Sequence, residues 1–165
     1  MKDDLLHLIG HMRWADERAL QSLHETPEDQ GLRILTHVLA TEQICLDRKE
    51  ARDPWPQDFW PDLSIHECSS VFPGIHDRYE RFITARTEED LQEEVWYRTS
   101  GDDGHRTVLR KMLTHVVLHG EHHRGQIAHI VQRAGGRPAA TDYIVYARYL
   151  KSDGLKKKPP DESTL

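Results

Sequence analysis

The stretch from Thr107 to Arg133 reads TVLRKMLTHVVLHGEHHRGQIAHIVQR, and its pattern points to a long helix. It contains no proline, and its apolar residues recur at three- and four-residue spacing. It also carries five of the chain's twelve histidines. A helix turns by about 100° per residue, so His119 lies within about 40° of His123, together with Met112, Val116, Ile127 and Ile130. Two imidazoles one turn apart therefore face inward on an apolar stripe. Zn–N bonds of ~2.0–2.1 Å need nitrogens that converge on one point, and this spacing supplies two of them. Without a partner, each buried imidazole would cost about 1–3 kcal/mol. His115, His122 and His129 sit about 80–120° to one side of His123, on a flank. The HGEHH run is not a zincin HExxH, because Glu121 projects about 160° away from His123 and cannot serve an ion held there.

The chain has 165 residues and a net charge of −6 with neutral histidines. That length suits one domain with a real core. The acidic balance argues against nucleic-acid binding, which needs a basic surface. No apolar run approaches a membrane span, and MKDDLLHLIGHMRW does not read as a signal peptide. Cys45 and Cys68 fall on different predicted helices without CxxC spacing. They read as small buried residues, in keeping with a reducing cytoplasm.

Three more amphipathic helices precede the histidine-rich one. The first spans about Asp3 to His24, with Leu5, Leu8, Ile9, Met12, Ala15, Ala19, Leu20 and Leu23 on its buried stripe and Trp14 beside it as a partly buried packing residue. Thr26 and Pro27 suit a cap and first turn for the second, which runs to about Ala51. Its apolar set is Ile34, Leu35, Val38, Leu39, Ile44 and Cys45. His37 sits within that set, which makes it the candidate third ligand. Glu42 lies about 140° around from His37 and cannot share its target. DPWPQDFWPD, from Asp53 to Asp62, excludes a helix and brings Trp55, Phe59 and Trp60 over one end of the fold as a plug or lid. Such a loop is long enough to return along a helix, which lets helices 2 and 3 run parallel. Ser64 and Glu67 form a capping-box pattern for the third helix, and Pro73-Gly74 predicts a kink or break near Val71. His66 and His76 are expected at an edge or exposed. Val95–Tyr97 and the Gly101–Gly104 turn predict a short hairpin or extended loop before helix 4. Gly135-Gly136 stops helix 4, and a short helix follows from Tyr143 to Leu150. The expected class is all-α, a four-helix bundle over residues 1–150 with a polar tail at 151–165.

HVVLHGEHHRGQIAHIVQRAGG followed by TDYIVY resembles the last-helix signature of the DinB/YfiT-like metal-dependent four-helix bundles. RWADERAL and LTHVLATEQICLDR are similar to that family's first and second helices. The likeness covers roughly Asp3 to Leu150. It implies an up-down-down-up bundle that holds a divalent metal through three histidines, which map onto His37, His119 and His123. It also implies a homodimer in many members. Some relatives transfer low-molecular-weight thiols onto electrophiles or use a thiol to isomerise a substrate; others are metal-dependent hydrolases. No substrate carries over.

Three neutral imidazoles leave open positions on a divalent ion, as catalytic zinc sites do. Zn²⁺ suits a thiol co-substrate, and Ni²⁺ is also compatible with imidazole. Gln126, His122 and His115 are the candidates for orienting groups or proton shuttles. Arg124 is expected at the surface or at a dimer contact. The resulting expectation is a cytoplasmic, metal-dependent thiol S-transferase acting on a small electrophile, with no nucleic-acid or membrane partner. A metal-hydroxide hydrolase and a non-catalytic metal-binding stress-response dimer are the alternatives.

Overall fold

The computed structural model describes residues 2–50, 58–98, 101 and 103–153, without the side chains of 151–153. Helices dominate. In chain order they are α1 (Lys2–Glu25), α2 (Asp29–Lys49), α3 (Ile65–Thr84), α4 (Leu109–Arg133) and α5 (Tyr143–Asp153). Between α3 and α4 lie a short 3₁₀ turn, Asp90–Gln92, and a hairpin of β1 (Glu94–Arg98) and β2 (Gly104–Val108). The hairpin is antiparallel, with Trp96 opposite Arg106. It matches the strand character of Val95–Tyr97, but it takes Thr107 and Val108 from the predicted start of α4.

Each long helix buries the stripe its periodicity marks. Met12 and Ala15 of α1, Leu35 and Val38 of α2, Cys68 and Tyr79 of α3, and Leu113 and Val131 of α4 are all essentially inaccessible. Burying one such aliphatic or aromatic side chain contributes about 1.5–3 kcal/mol. α4 packs on α1 and α2, and so does α3, while α1 and α2 touch each other little. The start of α1 meets the end of α3, where Lys2 Nζ donates to the carbonyls of Thr84 (2.6 Å) and Arg86 (2.7 Å). At the other end of α1, His24 Nε2 lies 3.4 Å from Ser69 Oγ.

The helix ends show how local chemistry sets boundaries. Ser64 accepts from the Glu67 backbone N–H while the Glu67 carboxylate accepts from the Ser64 N–H, so the predicted capping box forms. α2 begins later than expected. Its N-cap is Glu28 with no side-chain cap, so Thr26 and Pro27 belong to the connection. α4 ends in a Schellman motif, with Gly135 at φ 82° and the Gly136 N–H bonded to the Val131 carbonyl at 3.0 Å. α3 runs through Pro73 without interruption, so there is no break near Val71. Phe72, Ile75, Tyr79 and Phe82 anchor both sides of the proline in the core, which offsets the missing backbone bond. α5 extends to Asp153, three residues into the stretch expected as tail. Trp14 is half-buried, as expected. Trp55 and Ala51 lie outside the described residues. No helix among the described residues is long and apolar enough to cross a membrane.

Candidate metal centre

His37 on α2 and His119 and His123 on α4 meet between the two helices. One ligand-type nitrogen from each lies within 4.8 Å of the others, and all three residues are half-buried. His119 Nε2 and His123 Nε2 are 3.2 Å apart. Two nitrogens bound tetrahedrally to one Zn²⁺ at ~2.0–2.1 Å would be separated by about 3.3 Å. The His37 ring centroid lies 5.1 Å from that of His119 and 4.8 Å from that of His123.

Outer hydrogen bonds select the tautomer in two of the rings. His37 Nδ1–H donates to the Phe59 carbonyl at 2.7 Å, and His123 Nδ1–H donates to Gln126 Oε1 at 2.8 Å. Each bond leaves Nε2 as a bare lone pair, the form a metal needs. Burial, and then the neighbouring His123, His37, His115 and His122, push His119 down to about 4. Burial likewise lowers His123. Both rings are therefore neutral at neutral pH. The donor set fits a divalent first-row ion.

The loop after α2 closes one face. Trp60 stacks on His37 with ring centroids 3.9 Å apart and planes 11° from parallel. Arg33, one turn before His37, places its guanidinium carbon 5.7 Å from the Trp60 ring centroid. A cleft of about 450 Å³ opens beside this tryptophan, lined in part by Leu32, Arg33, Thr36, Trp60 and Leu63. Gln126 is exposed; its amide also reaches His122 at 3.2 Å, so it links an exposed histidine to an inner one. His115 is exposed, with its ring 5.8 Å from that of His119. His129 is exposed as well.

Behind this centre the structure holds a second cluster that the sequence reading did not anticipate. Asp16, Glu42, His76 and Arg124 are buried together, each no more than 1% exposed (0%, 1%, 1% and 1%). The sequence pattern puts His76 at an edge or exposed and Arg124 at the surface or a dimer contact; the structure instead buries both, because each meets the buried Asp16 carboxylate in the core. Arg124 Nη1 donates to Asp16 Oδ1 at 2.7 Å. It also donates to Glu121 at 3.0 Å. His76 Nε2 lies 3.0 Å from Asp16 Oδ2 and 3.4 Å from Glu42 Oε2. Burial raises Asp16, but the Arg124 guanidinium and His76 outweigh it, so its pKa falls below the usual value. Glu42 goes well above its usual value, through burial and then the Asp16 charge. As expected, Glu42 does not share the target of His37.

The profile of the DinB family matches residues 1–154. The chain belongs to the DinB family. It is 30% identical to Protein DinB of Bacillus subtilis (strain 168) over 121 residues, 73% of this chain and 63% of that protein. It thus covers less than two thirds of that relative's length. No solved structure matches the chain. Membership agrees with the resemblance carried by HxxxHRGQ and the helix-2 histidine, and His37, His119 and His123 are grouped closely enough to hold one divalent ion.

Proposed function

We propose that this DinB-family chain is a metal-dependent enzyme that transfers a low-molecular-weight thiol to a small electrophilic molecule. His37, His119 and His123 would be the ligands and Zn²⁺ the ion. When bound, such an ion supplies Lewis acidity and favours the thiolate over the thiol. The observation that carries this reading is the meeting of three half-buried imidazoles, two of them (His119 and His123) held below the ordinary histidine range, in a donor group that contains no carboxylate.

The chain's own cysteines do not supply the sulfur. Cys45 and Cys68 are buried, and burial pushes both thiols up to about 11. They stay protonated and poorly nucleophilic. The sulfur must therefore come from a co-substrate. The cleft beside Trp60 offers it room, with Arg33 able to attract an anionic group. Phe59 and Gln126 hold the ligand rings in one tautomer. His115 and His122 lie at the rim, where they can pass a proton to water. In the transfer, the thiol sulfur bonds to the electrophilic carbon, the leaving group departs with its bonding pair, and the thiol proton goes to solvent.

The same reading takes the bundle as up-down-down-up, acting as a homodimer in the cytoplasm. The helix order is supported by Lys2 meeting Thr84, by Arg78 on α3 reaching Asp47 and Glu50 near the end of α2, and by Arg124 on α4 reaching Asp16 on α1. The test is turnover of a chlorinated or epoxide probe by the Zn²⁺-loaded chain, with and without added thiol. The expected rate rises with thiol concentration and vanishes in His37→Ala. Equal consumption of the probe without thiol would replace transfer by hydrolysis.

A further inference from the structure

We propose that Asp16, Glu42 and His76 form a second divalent-cation site in the core of the bundle, separate from the three histidines. The three side chains come from three helices, α1, α2 and α3, and one ligand atom from each lies within 4.8 Å of the others. Bundle cores build metal sites in this way, from inward side chains on facing helices.

Three features argue for an ion. First, the ligand atoms stand at separations found around a common metal: 3.0 Å from His76 Nε2 to Asp16 Oδ2 and 3.4 Å to Glu42 Oε2. Second, His76 Nδ1–H donates to the Phe72 carbonyl at 2.9 Å, which leaves Nε2 bare and aimed at the carboxylates. That outer bond to a backbone carbonyl is the usual support of a metal-binding histidine. Third, both carboxylate oxygens of Glu42 are buried without a hydrogen-bond partner, although the residue is only 1% exposed. A proton placed on His76 Nε2 would satisfy Asp16 at the shorter distance, and one on Glu42 would bond Asp16, which still leaves one buried Glu42 oxygen without a partner. A cation can take all three donors at once.

Arg124 does not occupy the position. It bonds Asp16 through Oδ1, leaving Oδ2 toward His76. Asp16 and Glu42 together carry two negative charges when ionised, against one on Arg124. A divalent ion answers that excess, and two carboxylates with one imidazole suit Mn²⁺, Fe²⁺ or Zn²⁺. A bound ion here would tie α1, α2 and α3 together, whereas the histidine triad ties α2 to α4.

The test is the metal content of the full chain, equilibrated with Mn²⁺ or Zn²⁺, freed of excess ion and measured by elemental analysis. Three proteins are compared: the unaltered chain, a His119→Ala/His123→Ala variant, and Glu42→Gln. The expected contents are two equivalents, one and one, and combining all three substitutions should leave none. Circular dichroism establishes that each variant is folded. A folded His119→Ala/His123→Ala chain that holds neither ion overturns the proposal. If that variant does not fold, Glu42→Gln decides: loss of one equivalent supports the site, and unchanged content overturns it. A single equivalent that disappears with Glu42→Gln but survives His119→Ala/His123→Ala supports this site and instead removes the histidine triad as a metal centre.

Discussion

Replacing Arg124 by Met tests whether the bundle is organised around its buried charges. Arg124 Nη1 meets Asp16 Oδ1 at 2.7 Å, and both side chains are 0% exposed. The substitution keeps an apolar stem of similar length but strands the Asp16 carboxylate in the core. Breaking a buried pair from one side costs about 3–5 kcal/mol. Total stability for a domain is about 5–15 kcal/mol, so this is a large share. With a urea slope near 2 kcal/mol per molar, the unfolding midpoint should fall by about 1.5–2.5 M at neutral pH. The gap should narrow in acid. Asp16 has a depressed pKa in the native chain, so its contribution is present above the unfolded value of about 3.9 and is lost as pH falls through the folded value. Asp16→Leu combined with Arg124→Met should be less destabilised than Arg124→Met alone, because no charge is left unpaired. A midpoint shift worth less than about 1 kcal/mol, as for an exposed contact, would refute the reasoning.

Gly120→Ala should destabilise the fold by about 1–3 kcal/mol in the same urea assay, despite the better helix propensity of alanine. A β-carbon there would stand 2.6 Å from Arg124 Nη1, and the guanidinium is held by Asp16 and cannot easily move. In the metal-free chain His119 titrates near 4 rather than 6.5, so the unfolded chain binds more protons between those values. Stability from this residue is therefore full above about 6.5 and is lost as pH falls toward 4; thermal melts of the chain and of His119→Gln across that window should diverge in slope. Gln126→Leu removes the acceptor that fixes the His123 tautomer, and chelator competition should show metal affinity about 10–100-fold weaker with the fold intact.

Helical periodicity made most of the architecture readable. The stripes of α1, α2 and α4, the Ser64–Glu67 capping box and the Gly135 stop all depend on local chemistry that repeats at known spacing. The meeting of His37 with His119 and His123 was legible for the same reason, because all three sit on inward lines. The second cluster is not legible in the same way, because charged residues on a single helix signal solvent rather than core. Yet each lies on a buried line: Asp16 one turn after Met12, Glu42 one turn after Val38, His76 one turn after Phe72, and Arg124 one turn after Gly120. A charge on an apolar stripe is tolerated when an opposite charge occupies the facing stripe, and that pairing is visible only once the helices are placed. Pro73 lies inside a continuous α3, so of the two expected outcomes the break does not occur. Its local cost is real, but the packing of Phe72, Ile75 and Tyr79 outweighs it.

Crystals of the Zn²⁺-loaded chain, measured at the zinc absorption edge, test the central claim most directly. The account predicts an anomalous peak about 2.0–2.1 Å from nitrogens of His37, His119 and His123, with further coordination from solvent. Zinc bound elsewhere in the molecule, with no peak between those three rings, would contradict it.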